Sequence, residues 1–241
     1  MHTDEVLVVY GVNAVRELLR SGTPVQRLYL GRGPGERDLA ATARASGVAV
    51  ESADRAMLDR VAASPHHQGA VAVAPPYRYA ELASVLESDR QSALVLDGVQ
   101  DPRNLGAILR TARAAGVGGV VLPADRSSGV TSVVAGASAG LLFGLRIARV
   151  PNLVRAMEEM KEAGFWLVGL VPRDGRSVYG FAPPPRPSLV IGGEGEGLRP
   201  LVRRTCDFTI TLPMAPGVES LNASVAASVA LYELLVRPQH S

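Results

Sequence analysis

The chain alternates short apolar runs with stretches whose apolar positions recur every three to four residues, the pattern of strands interleaved with amphipathic helices. Val6 to Val9 reads as a buried strand. Asn13 can cap a helix carrying Val15, Leu18 and Leu19 on one face, and Ser21-Gly22 ends it. Arg27 to Leu30 predicts a second strand, followed by a turn at Gly33-Pro34. Glu36 to Ser46 predicts a helix that stops at Gly47. Val48 to Val50 reads as strand, Asp54 to Ala63 as helix and Gly69 to Ala74 as strand, completing a compact α/β unit of three layers.

Pro75-Pro76-Tyr77-Arg78-Tyr79 breaks this pattern, because two prolines fix φ and force an extended path. We therefore place a linker at residues 75–79, between a first domain (1–74) and a second (80–241). Strands are expected at Ala93–Leu96, Gly119–Leu122, Leu145–Val150, Phe165–Val171, Leu189–Ile191 and Phe208–Leu212. Helices are expected at Asn104–Ala115 and Asn152–Ala163, with a long terminal helix over Leu221–Val236 bearing Val225, Val229, Tyr232 and Val236 along one face. This alternation predicts an α/β fold with a mostly parallel sheet, which puts any ligand site at the carboxyl ends of its strands.

Composition narrows the function classes. The 241 residues are 47% apolar and 20% charged, enough apolar material for a packed core. Cations number 25 against 23 anions, a net charge of +2, so a polyanion must be held by a local patch rather than a global field. Lys161 is the only lysine, and the other 24 cations are arginines, whose forked guanidinium suits phosphate. Cys206 is the only cysteine, which excludes an intramolecular disulfide and a thiolate-held metal cluster. The acidic start Met1–Glu5 lacks the features of a signal peptide, and the run Thr131 to Leu145 is too short and polar to span a bilayer. A cytoplasmic protein without membrane or metal partners is expected.

Three segments, each after a predicted strand, carry candidate chemistry. In the first, Leu96-Asp97-Gly98-Val99-Gln100-Asp101-Pro102-Arg103-Asn104 leads into a helix bearing Arg110. Asn104 and Arg110 lie six residues apart, on roughly opposite helix faces, so Asn104 reads as cap or loop. In the second, Ile191-Gly192-Gly193-Glu194-Gly195-Glu196-Gly197 ends a strand in alternating glycine and glutamate. Its spacing is not that of a dinucleotide loop, and two glutamates would repel a pyrophosphate; a cationic or hydroxyl-bearing ligand suits it better. In the third, Leu212-Pro213-Met214 is followed by Ser220-Leu221-Asn222-Ala223-Ser224, where Ser220 or Asn222 can cap the last helix. His66-His67 lacks a third ligand, and Cys206 beside Asp207 is a poor thiolate.

Taken together, Asn104…Arg110, Gly193-Glu194-Gly195-Glu196-Gly197 and Pro213-Met214…Ser220-Leu221-Asn222 resemble the three motifs of the SpoU (TrmH) branch of the SPOUT RNA methyltransferases, over roughly Ala93 to Arg237. Tyr10-Gly11-Val12-Asn13-Ala14-Val15 and His67-Gln68-Gly69 are similar to the small L30e-like RNA-binding domain of the bacterial 23S rRNA guanosine 2′-O-methyltransferase subgroup. Departures from the family pattern stand at Gly136 and at Phe143-Gly144. The resemblance implies an L30e-like N-terminal domain, a SPOUT domain whose C-terminus forms a deep trefoil knot, and a homodimer. It implies methyl transfer from S-adenosylmethionine to a ribose 2′-hydroxyl, with 23S rRNA as the favoured RNA. A tRNA, an rRNA site of antibiotic resistance and a non-catalytic ribosomal RNA-binding role are the alternatives. By motif match Arg110 is catalytic, and Asn104, Glu194, Ser220 and Asn222 are the other polar active-site positions. Gly192, Gly193, Gly197, Leu212, Met214 and Leu221 are the cofactor positions. A guanidinium is effectively always protonated, so phosphate gripping or alkoxide stabilisation is the gentler role for Arg110. In the first domain, Arg16, Arg20 and Arg27 are the candidate RNA contacts.

Overall fold

A computed structural model of the chain describes residues 6–33, 35–88, 91–195 and 197–237. Pro34 of the expected turn, Glu196 of the glycine-glutamate loop and the Met1–Glu5 start lie outside the described residues. The chain forms two compact units. One comprises the residues up to Arg78 together with Val130–Gly144, and the other comprises Tyr79–Gly129 and the residues from Leu145 onward.

In the first unit a four-stranded sheet has the order β1-β4-β2-β3, built from β1 (Leu7–Tyr10), β2 (Arg27–Leu30), β3 (Val50–Ser52) and β4 (Ala70–Ala74). Only β2 and β3 run parallel; β4 pairs antiparallel with both β1 and β2. Side chains alternate across the sheet. Val8, Tyr10, Tyr29, Val71 and Val73 meet Met57, Leu58, Val61 and Ala62 of α3 (Arg55–Ala62). On α1 (Val12–Arg20) and α2 (Glu36–Ala45), Ala14, Val15, Leu18, Leu19, Leu39 and Ala43 are buried. Asn13 does not cap α1: the cap is Gly11 at φ 94°, and the Val12 amide donates instead to Gln68 Oε1 at 3.2 Å. Asn13 Oδ1 accepts from Arg16 within the helix. Residues 130–144, expected in the second domain, fold here as α6 (Ser132–Ala137) and a 3-10 turn over Leu141–Gly144. Gly140, at φ +80°, has no room for a side chain: a Cβ would lie 2.7 Å from the backbone of Ala14. Gly136 faces the Tyr10 ring and Phe143 packs against Tyr77, so both departures from the family pattern are seated in this unit's packing.

The second unit is a seven-stranded, all-parallel sheet of order β7-β6-β5-β10-β8-β11-β9. Its strands are β5 (Ala93–Asp97), β6 (Gly119–Pro123), β7 (Arg146–Val150), β8 (Trp166–Leu170), β9 (Arg176–Ser177), β10 (Pro187–Gly192) and β11 (Phe208–Thr211). Every residue of β5 and β6 is buried, as a sheet covered on both faces requires. One face packs Val95, Val121, Val190 and Leu167 against Leu153, Met157 and Met160 of α7 (Leu153–Glu162), with α4 (Leu82–Leu86) and α8 (Pro200–Thr205) alongside. Helix α9 (Ala223–Leu231) packs against α5 (Pro102–Ala114) and β10 and continues as a π-turn over Tyr232–Val236. Its buried face is Ala227, Ala230 and Leu231, continued by Leu234 and Leu235, while Val225 and Tyr232 are exposed. The stripe predicted from Val225, Val229, Tyr232 and Val236 therefore points the wrong way. Small alanines let the helix approach its neighbours, a contact that ranking residues by apolarity does not favour.

Candidate active site

The carboxyl edge of the parallel sheet holds a cavity of about 350 Å³, which opens where β8, β10 and β11 end. The tail of β8 (Leu170, Val171 and Pro172) and Ile191 of β10 give it apolar surface. Gly192, Gly193, Glu194, Gly195 and Gly197 line one side. Thr211, Leu212 and Met214 come from the end of β11, and Glu219, Ser220, Leu221, Asn222, Ala223 and Ala226 from the turn into α9. All six cofactor positions expected from the sequence lie on this cavity, as do Glu194, Ser220 and Asn222.

The glycines are needed for two different reasons. A Cβ on Gly192 would collide with the backbone of Gly197 and Leu198, and one on Gly193 with the Gly98 carbonyl. The loop folds back on itself there, with the Gly193 amide donating to the Asp97 carbonyl at 2.9 Å. Gly195 and Gly197 instead have φ of +92° and +68°, a backbone region that favours glycine. No side chain, β-branched or otherwise, fits on Gly192 at the end of β10.

A chain of side-chain hydrogen bonds ties the three sequence segments together. Asn104 Nδ2 donates to Glu194 Oε1 at 2.7 Å, and Asn222 Nδ2 donates to Asn104 Oδ1 at 3.1 Å. The Gln100 amide approaches Glu194 Oε2 at 3.4 Å. Asn222 Oδ1 meanwhile accepts from the Ser224 amide and hydroxyl and from the Val225 amide, so Asn222 both caps α9 and reaches across to α5. Asn104 is not the cap of α5. Asp101 is, accepting from the Arg103 amide, with Pro102 in the first turn. Asn104 sits in that turn, buried, and its amide is committed on both sides. Helix α9 begins at Ala223 rather than Leu221, which leaves Leu221 exposed on the cavity wall.

Arg110 is placed apart. It is exposed on α5, turned away from the buried Asn104, and does not line the cavity. Its guanidinium has no partner among the described residues, so it is free to meet an anion. Thr111, the next residue, bonds Ser228 at 3.0 Å and couples α5 to α9.

Sequence reasoning missed one buried ion pair beside the loop. Asp97, whose side chain is fully buried at the end of β5, accepts from Arg199 Nε at 2.6 Å and from the Arg199 amide at 2.8 Å. The only signal was an aspartate ending an otherwise apolar strand. His67, a poor metal-ligand candidate by sequence, is a buried tie within the first unit. Its Nδ1 accepts from the Gly69 amide at 3.0 Å, which leaves Nε2–H to donate to Asp59 at 3.1 Å. Among the described residues no cluster of three His, Cys, Asp or Glu side chains is placed to hold a metal ion. No helix there is long and apolar enough to cross a membrane. Burial, with Asp207 adding to it, pushes the Cys206 thiol up to about 12.

Known proteins resemble the chain along most of its length. Residues 91–232 match the SpoU rRNA Methylase family, and residues 8–80 match the family described as RNA 2'-O ribose methyltransferase substrate binding. A TrmH family tRNA/rRNA methyltransferase of Staphylococcus haemolyticus is 37% identical over 238 residues, 95% of each chain. The TrmH family tRNA/rRNA methyltransferase YacO of Bacillus subtilis is 41% identical over 237 residues, 94% of each. Among solved structures, the AdoMet-bound rRNA methyltransferase of Sinorhizobium meliloti superposes with a TM-score of 0.81 at 25% identity, covering 95% of this chain and 86% of that one. The SpoU methyltransferase AviRb of Streptomyces viridochromogenes, in complex with AdoMet, gives 0.80 at 28% identity, covering 97% and 91%.

Proposed function

The chain belongs to the SpoU family of S-adenosylmethionine-dependent RNA methyltransferases, and from that premise we propose that it methylates a ribose 2′-hydroxyl, with a guanosine of 23S rRNA as the favoured target. The observation that carries this reading is the carboxyl-edge cavity together with the Asn104–Glu194–Asn222 chain on its rim. A non-catalytic RNA-binding protein has no use for either. The rRNA methyltransferase neighbours and the substrate-binding family of residues 8–80 support the ribose and rRNA assignment.

The cavity suits S-adenosylmethionine. Its volume falls in the range of small-ligand sites, about 300–1,000 Å³. Leu170, Ile191, Leu212 and Leu221 offer apolar surface to a nucleoside, and the glycine loop offers backbone groups at close range. The carboxylates of Glu194 and Glu219 complement a ligand bearing a sulfonium and an ammonium. When bound, the cofactor supplies an electrophilic methyl group on its sulfonium. What remains for the protein is to align the hydroxyl and stabilise charge as its proton leaves.

Gly192, Gly193, Gly197, Leu212, Met214 and Leu221 hold the cofactor by shape. Glu194 is fixed by Asn104, which is itself held by Asn222, so the three act as one rigid rim that orients the ribose. Ser220 presents a hydroxyl to the same space. Arg110 stays protonated, grips the phosphate next to the target ribose and stabilises the developing alkoxide. The enzyme works in the cytoplasm as a homodimer; the exposed apolar side chains Val218, Leu221, Val225 and Tyr232 are suited to burial against a second copy.

Mapping 2′-O-methylation across all rRNA and tRNA in a strain lacking the gene tests this reading. Loss of one ribose methyl in 23S rRNA is the expected result. Loss confined to a tRNA, or of a base methyl, overturns the finer assignment.

A further inference from the structure

Asp97 closes β5, a strand otherwise made of Ala93, Leu94, Val95 and Leu96, and its side chain is fully buried. Stability does not call for a carboxylate there. Burying an ion pair costs solvation that apolar neighbours do not lose, and apolar replacements of such pairs are often neutral or stabilising. What an aspartate adds is acceptors, and all of them point at one loop. The Asp97 carbonyl accepts from the Gly193 amide at 2.9 Å. Its Oδ2 accepts from the Arg199 amide at 2.8 Å, and its Oδ1 from Arg199 Nε at 2.6 Å.

Gly193 opens the glycine-glutamate loop, and Arg199 follows it as the cap position of α8. Both ends of the loop are therefore fastened to a single residue of β5, although the loop grows out of β10. Across its base, Gly193 and Gly197 face each other as an antiparallel bridge. The chain that leaves Asp97 also carries Gln100 and Asn104, whose main-chain and side-chain amides meet the Glu194 carboxylate. Asp97 is thus the common origin of the loop and of the groups that hold its glutamate.

We propose that Asp97 is a positioning residue for methyl transfer: with Arg199 it clasps the glycine-glutamate loop to the end of β5 and so sets where Glu194 and the loop backbone meet ribose and cofactor. The inference rests on the methyltransferase reading for the reaction it serves. It gives the buried ion pair a use, since a misplacement of about 1 Å at a reacting centre can cost about 100-fold in rate.

The test compares Asp97→Asn with Asp207→Asn in the full chain. Asp207 makes the same combination of contacts beside the amino ends of β8 and β11, Oδ1 with Lys161 Nζ at 2.7 Å and Oδ2 with the Leu167 amide at 2.8 Å. Both variants should melt at lower temperature than the parent. At a temperature where both are folded, Asp97→Asn should lower kcat about 10- to 100-fold on 23S rRNA transcribed in vitro, with KM for the RNA unchanged. Its S-adenosylmethionine affinity, measured without RNA, should fall about tenfold. Asp207→Asn should hold both within about twofold. In a Glu194→Gln background, Asp97→Asn should lower kcat by no more than about a further twofold, because it acts through Glu194. Should Asp97→Asn not fold, Arg199→Met carries the test and should show the same losses. Arg199→Lys should then recover kcat to within about threefold, since the guanidinium contact is a single Nε donor rather than a fork. A kcat for Asp97→Asn near the parent's, equal losses in Asp207→Asn, or multiplicative losses with Glu194→Gln overturn the proposal. If the parent methylates neither 23S rRNA nor tRNA, yet Asp97→Asn alone weakens S-adenosylmethionine binding, the RNA reading fails and the clasp stands.

Discussion

The two units each hold a cavity at strand ends, and the two are lined by different groups. The one in the catalytic unit is lined largely by backbone and apolar side chains, and its charged groups are carboxylates. The one in the N-terminal unit is bordered by arginines and oriented polar side chains. A glycine-cradled site discriminates by shape, and a small steric change there is fatal.

The largest expected effect lies in the glycine loop. Gly192→Ala puts a methyl group into the backbone of Gly197 and Leu198, which cannot move aside without unmaking the loop. A cost of about 3 kcal/mol or more, and a melting point lower by about 6–12 °C, should accompany loss of cofactor binding. Gly195→Ala meets open space at φ +92° and should cost only about 1–2 kcal/mol. If calorimetry finds the two variants equally stable, the loop is not held by backbone contact.

Arg110→Ala should come next. Loss of a cation at the developing charge lowers kcat by about 100- to 1,000-fold. An exposed residue with no partner should leave stability within about 0.5 kcal/mol and cofactor affinity within a few-fold. Turnover near that of the parent would remove Arg110 from the mechanism.

Glu194→Gln keeps volume and removes the charge that receives the Asn104 amide. Turnover should fall about 10- to 100-fold, the weight of one charge-assisted hydrogen bond, with cofactor affinity less affected. Asn104→Ala should behave alike, and the double variant should cost less than the two single losses multiplied, because the residues act as one rim. Multiplicative losses would mean that they act separately.

The smallest effect concerns Cys206. Its thiol is pushed up to about 12, so it should resist alkylation at pH 8 in the folded chain and react only on unfolding. The unfolded thiol ionises near pH 9, so the folded state should lose stability as pH rises from about 9 towards 12, and a Cys206→Ala variant should lose less over that window. Rapid labelling of the native chain at pH 8 would contradict the burial.

The strand and helix order was legible because period-two and period-3.6 patterns are local. β2 and α7 lie within a residue of where the pattern puts them, and the carboxyl-edge site follows from parallel strands joined by helices. Two of the three motifs name residues that line the cavity, and the other names Asn104, which is hydrogen-bonded to Glu194 on it. Local pattern misled where a third partner decides. The cap of α1 went to Gly11 and Gln68 rather than Asn13, because Gln68 arrives from 56 residues away. Segment 130–144 left the unit that surrounds it in sequence, and the buried side of α9 is set by its alanines.

What the sequence by itself determined is the alternation of elements, the family and the polar residues that its motifs single out, since these depend on residue type and spacing. Only the tertiary structure decided which arginines pair with carboxylates, as Arg16 does with Asp38, and which, like Arg110, have no partner among the described residues. It alone showed that Gly192 is glycine because another stretch of backbone occupies the space, and that Asn104, Glu194 and Asn222 form one hydrogen-bonded rim while Arg110 stands off it. The physical reason is the same in each case. Steric exclusion and ion pairing depend on separations of a few ångströms between residues distant in the chain, and no local pattern encodes those separations.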